Sequence, residues 1–166
     1  MRKLTIIGAA AVLSVAIAGC APLNQDKAQS AYDAGRYDEA AYDIQAALAS
    51  DPDNLQLKEL AAKIFTQRGF GYYKNGEMLA ASADFHRAVN YYPTYSAAWD
   101  YLGMIAFQQH NWQNAIDYGS KAAGLEGKPD PGYVQSAREN LRRVQSGGVR
   151  PYRPPGPPAR GMSPTY

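Results

Sequence analysis

The sequence predicts an all-α solenoid of stacked antiparallel helix pairs, and three observations carry that prediction. Gly69, Gly76, Ala81 and Ala88 recur 34 residues later as Gly103, His110, Ala115 and Ala122. Backwards, at an offset of 41, Gly76, Ala81, Phe85, Ala88 and Pro93 match Gly35, Ala40, Ile44, Ala47 and Pro52. No strand-like alternation competes with the helical spacing. With 46% hydrophobic and 19% charged residues among 166, the chain suits one globular domain.

Residues 1–19 read as an address rather than as fold. Arg2 and Lys3 precede the uncharged run Leu4 to Ile17. That run is shorter than the about 20 residues a helix needs to cross a bilayer, and it fits the apolar core of a secretory signal. It ends in Ile17-Ala18-Gly19-Cys20, which resembles the bacterial lipobox. The resemblance implies cleavage before Cys20, acylation of its sulfur (palmitate or a similar chain) and anchoring by two or three acyl chains. Cys20 is the single cysteine of the chain. Ala21 stands where family sorting rules place Asp in retained lipoproteins, so the expected location is the outer membrane, facing the periplasm. Residues 20–23 are expected to be a tether reaching roughly 10 Å.

The helices are expected at about 24–34, 37–49, 54–75, 77–91, 95–109 and 112–124. Gly35 and Gly76 fall in the turns within pairs, where positive φ is favoured. Pro52 and Pro93 fall between pairs, where a helix cannot continue. The extra seven residues in the first offset are almost two helical turns, so they preserve phase. Leu57, Leu60, Ala61 and Ile64 then share one face of a longer third helix. Asp130 can cap a seventh helix with Pro131 at its first position. Val134, Ala137, Leu141 and Val144 would form its buried stripe, with Arg138, Arg142 and Arg143 outside. Such a helix would cover the open end of the solenoid, as terminal elements must. Residues 147–166 contain six prolines after Gly147-Gly148, a composition expected to be disordered or polyproline-like.

A 34-residue period, with Trp99-x-x-Leu102-Gly103 and with Gly69-x-x-Tyr72 followed by Ala81, Phe85, Ala88 and Pro93, resembles the tetratricopeptide repeat (TPR). The resemblance divides residues 24–146 into units of about 21–54, 62–95 and 96–129 with a cap at 130–146. It implies a concave groove lined by the first helix of each unit. The slots carried over are Gln29, Tyr32 and Asp33; Lys63, Thr66, Phe70, Tyr73 and Lys74; and Asp100, Met104, Phe107 and Gln108. The family's carboxylate clamp needs Lys and Asn at slots that here hold Gln25 and Gln29, Thr66 and Phe70, Asp100 and Met104. Capture of a terminal carboxylate is therefore disfavoured. Tyr32, Phe70, Tyr73, Met104 and Phe107 are the side-chain types that make interface hot spots.

Charge and motif content exclude several functions. Seventeen basic against fifteen acidic residues is too balanced for a dedicated nucleic-acid binder. The balance is uneven along the chain: residues 21–54 carry net −5 and residues 131–166 net +5. Nucleophile-elbow, phosphate-loop, zinc-helix and dinucleotide motifs are absent. His86 and His110 belong to different repeats, and no metal site or cofactor is expected. Asp38-Glu39 and Asp51-Pro52-Asp53 suit helix starts. The expected function is a non-catalytic, membrane-anchored adaptor that binds a peptide segment of another envelope protein. Lipoproteins it resembles serve pilus or secretion-system assembly or envelope biogenesis. The alternative is an adaptor that recruits or regulates peptidoglycan enzymes. Self-association through an exposed solenoid end is open.

Overall fold

A computed structural model describes residues 21–147. The expected signal segment, Cys20 and the proline-rich stretch 148–166 lie outside the described residues. Seven helices follow one another: α1 (Ala21–Asp33), α2 (Tyr37–Ser50), α3 (Leu55–Lys74), α4 (Met78–Tyr91), α5 (Ser96–Gln108), α6 (Trp112–Glu126) and α7 (Gly132–Gln145). No strand occurs among the described residues. Helices α1 and α2, α3 and α4, and α5 and α6 form the intimate pairs; α2 packs on α3, α4 on α5 and α6 on α7. The first helices also touch in series, α1 on α3, α3 on α5 and α5 on α7. That series forms the concave face.

Small residues set the spacing within pairs. Ala40, Ala81 and Ala115 are fully buried, and so are their partners one turn pair on, Ala47 and Ala88, with Ala122 nearly so. At these positions two helix backbones approach closely, and Ile44 and Phe85 fill the space beside them. The long α3 buries Leu57, Leu60, Ala61 and Ile64 along one face, as the preserved phase requires. The three turns within pairs each hold one left-handed residue: Gly35 (φ 72°), Gly76 (φ 80°) and His110 (φ 59°). His110 is the positive-φ non-glycine among the described residues, so its place in the repeat fixes its backbone.

The termini depart from expectation. Helix α1 begins at Ala21, so the tether expected at 20–23 is helical from its second residue. Pro22 is tolerated because a first-turn amide has no helical partner to lose. Helical residues rise about 1.5 Å each, which shortens the reach further. Asp130 does not cap α7. Pro131 occupies that position (φ −64°, ψ 156°), and Asp130 instead pairs with Arg138 at 2.6 Å. Arg138 also donates to Ser120 Oγ at 3.1 Å, so it clamps α7 to α6 rather than lying free. The expected stripe on α7 is buried only at Val134 and Ala137; Leu141 is half-buried and Val144 is 50% exposed. Among the described residues no further helix follows α7, so the outer turns of its stripe have nothing to pack on. No helix among the described residues is long and apolar enough to cross a membrane.

Candidate functional site

The sequence-predicted slots fall on the series α1, α3, α5, and the structure sorts them into three groups. At the α1 end, Tyr32 is half-buried with its ring 5.9 Å from that of Tyr37, and exposed Asp33 accepts from Gln29 Nε2 at 2.8 Å. Lys63 pairs with Glu59 at 2.7 Å, which holds its ammonium above the usual lysine range. Tyr95, at the start of α5, belongs electrostatically to the same cluster, and burial raises its phenol.

In the middle lies an aromatic floor. Phe70 and Tyr73 of α3 meet Tyr101 of α5, with ring centroids 5.4 and 6.0 Å apart. Tyr101 stacks on buried Phe85 at 4.8 Å with planes only 8° apart, so the floor is anchored in the core. Gln108 Nε2 donates to Tyr73 Oη at 2.6 Å, and Lys74 Nζ sits 5.0 Å over the Phe70 ring. Phe70, Tyr73, Tyr101 and Met104 each keep part of their surface in solvent. Tyr101 was not among the sequence-predicted slots. The signal was present, since residues 101, 104 and 108 share one helical stripe.

At the far end α7 takes up two predicted residues. Asp100 accepts from Tyr133 Oη at 2.8 Å, and Phe107 packs on Trp112 (5.4 Å) and Tyr133 (6.0 Å). Helix α7 thus stands where the first helix of another unit would stand, and Tyr133 closes the wall. Burial, then the Asp100 hydrogen bond, pushes the Tyr133 phenol far above the ordinary tyrosine range. The same sign holds at Tyr95 and Tyr101. A phenol whose folded pKa is raised contributes stability that is complete below its unfolded value of about 10 and is lost as pH rises through the folded value. Phenolate absorbance during an alkaline titration should therefore show a late fraction that appears only with loss of helical circular dichroism.

Thr66 was also expected in the groove. The structure buries it, 3% exposed, and its Oγ1 has no hydrogen-bond partner. An unpartnered buried hydroxyl costs about 1–3 kcal/mol, so Thr66→Val should stabilise by about 1 kcal/mol in urea unfolding. Among the described residues no group of three His, Cys, Asp or Glu side chains could hold a metal. The face is a contact surface of aromatic rings with a few tethered polar groups.

The tetratricopeptide repeat family model matches residues 26–69 and 71–133. No curated protein sequence matches the chain. Among solved structures, the Sgt2 TPR domain from Aspergillus fumigatus is 21% identical, covering 86% of this chain and 90% of that one, with a TM-score of 0.45. The first TPR of Spaghetti (RPAP3), solved with an HSP90 peptide, is 21% identical over 76% of this chain and 94% of that one, with a TM-score of 0.45. The Arabidopsis OM64 TPR domain is 16% identical over 75% and 96%, again with a TM-score of 0.45. The repeat match spans most of the helical region, including the turns within all three pairs, and the chain belongs to the tetratricopeptide-repeat family.

Proposed function

We propose that this protein is a non-catalytic adaptor, held to the outer membrane by lipid on Cys20, that binds a segment of another envelope protein along its concave face. The observation that carries the reading is the half-buried floor of Phe70, Tyr73 and Tyr101, three rings that the core supports but does not fully cover. Rigid aromatic rings offer large contact area at low entropic cost, which suits them to recognition. In this reading, lipid on Cys20 next to a helix that starts at Ala21 would hold the acidic first unit close to the membrane. Pilus or secretion-system assembly, or envelope biogenesis, is the setting we favour.

Two variants test the halves of this reading separately. Cys20→Ser should abolish incorporation of labelled palmitate and release the protein from the membrane fraction. The double variant Phe70→Ala/Tyr73→Ala should keep helical circular dichroism yet bind the co-purifying envelope protein at least about tenfold more weakly, since hot-spot truncations exceed about 1 kcal/mol each. Unchanged affinity would remove the aromatic floor from the account.

A further inference from the structure

We propose that, when no partner is bound, the concave face is covered by the chain's own segment 148–166, so that a partner must displace it. The proposal rests on the reading of that face as a docking surface, and four features support it.

The first is where the segment starts. Helix α7 is the last of the series α1, α3, α5, α7, and the repeat makes these helices run the same way. Its end at Gln145–Gly147 therefore lies along the same edge as the ends of α3 and α5. Those ends carry Tyr73, Lys74, Phe107 and Gln108.

Length is the second. At about 3.1 Å per residue in an extended proline-rich form, residues 148–166 reach on the order of 60 Å. The face from α7 to α1 is three helix-to-helix steps of about 10 Å each.

Composition is the third. The segment holds Pro151, Pro154, Pro155, Pro157, Pro158 and Pro164, with Tyr152 and Tyr166 between and beyond them. Proline rings pack on aromatic floors, and a chain already confined near one φ loses little entropy on docking. The half-buried Phe70, Tyr73 and Tyr101 present such a floor.

Charge is the fourth. The segment carries Arg150, Arg153 and Arg160 and no acidic residue, whereas residues 21–54 are net −5. On the face itself, Asp33 is exposed at the α1 end. The three lysines of α3 are already engaged, Lys58 by Asp53, Lys63 by Glu59 and Lys74 by the Phe70 ring. Only weak contacts are needed, because tethering gives the segment an effective concentration of roughly millimolar.

A nitroxide on Ser163→Cys, in the full chain carrying Cys20→Ser and solubilised in detergent, reads the arrangement directly. Amide signals of residues 70–75, 106–109 and 30–34 should lose intensity, while those of the outward face of α2 around Tyr42 should not. The loss should persist when labelled chain is diluted with unlabelled chain, and fade with added salt or in Arg150→Glu/Arg153→Glu/Arg160→Glu. Loss confined to the last turn of α7 would overturn the proposal. Loss that vanishes on dilution would overturn it too, because the occupant would then be a second copy. Neither result touches the adaptor reading, which stands or falls on partner affinity in the Phe70→Ala/Tyr73→Ala variant.

Discussion

Arg68→Met is expected to destabilise the fold by about 3–5 kcal/mol, a large part of the about 5–15 kcal/mol that holds a domain together. Asp84 is 1% exposed on α4, and its two carboxylate oxygens accept from one edge of one guanidinium: Arg68 Nε at 2.7 Å and Arg68 Nη2 at 2.9 Å. Arg87 Nη1 adds a third contact at 2.8 Å from a half-exposed side chain. Arg68 also reaches Asp38 of α2 at 3.3 Å and lies over the rings of Phe65 and Tyr72. One guanidinium thus ties α2, α3 and α4 together, which fixes unit one against unit two and with it the curvature of the concave face.

Removing the arginine leaves a buried carboxylate with a single, solvent-screened partner. That unpaired charge, rather than the lost attraction, is the main cost. The check is the urea midpoint of Arg68→Met beside that of Arg68→Met/Asp84→Leu. The double variant should recover most of the loss, because an apolar pair of similar volume needs no compensation. A single-variant loss of about 1 kcal/mol or less would mean the pair behaves like a surface ion pair.

Gly119→Ala is expected to loosen α7. A Cβ there would meet Val134 Cγ2, Tyr133 Oη at 2.6 Å and Tyr133 Cε2 at 3.0 Å. Gly103 faces the same phenol from α5, so the two glycines form the seat of Tyr133. Overpacking of this kind costs about 1–3 kcal/mol, against a gain of up to about 1 kcal/mol from better helix propensity. The net effect is local. The Tyr133 hydrogen bond to Asp100 should break, and amides of α7 should exchange faster while those of α3 and α4 hardly change. If melting temperature rises instead, propensity outweighs the clash and the seat is looser than the geometry implies.

The contrast between these two sites marks what a repeat sequence discloses. Alanines at 40, 81 and 115 and the turn residues 35, 76 and 110 answer to a local need that every unit shares, so self-similarity exposes them. Helix limits followed to within a residue or two for six of the seven helices, the exception being the start of α1. Arg68 and Asp84 answer to a contact made in one unit alone, across a 16-residue separation that no helical period marks. Tyr133 is similar: nothing local says that a cap residue will reach back to Asp100 and Phe107 on α5. Thr66 stood in a groove slot by alignment, but the slot is buried here. Val144 followed the apolar stripe yet is 50% exposed among the described residues.

The most direct test of the central claim is photo-crosslinking from Tyr73 in the native membrane, with the captured protein identified by mass spectrometry. One specific envelope partner should be captured from Tyr73 and lost when the probe is moved to Tyr42, which is 75% exposed on the outward side of α2. Equal capture from both positions, or none from Tyr73 even in a chain ending at Gly147, would contradict a concave face built to hold a partner.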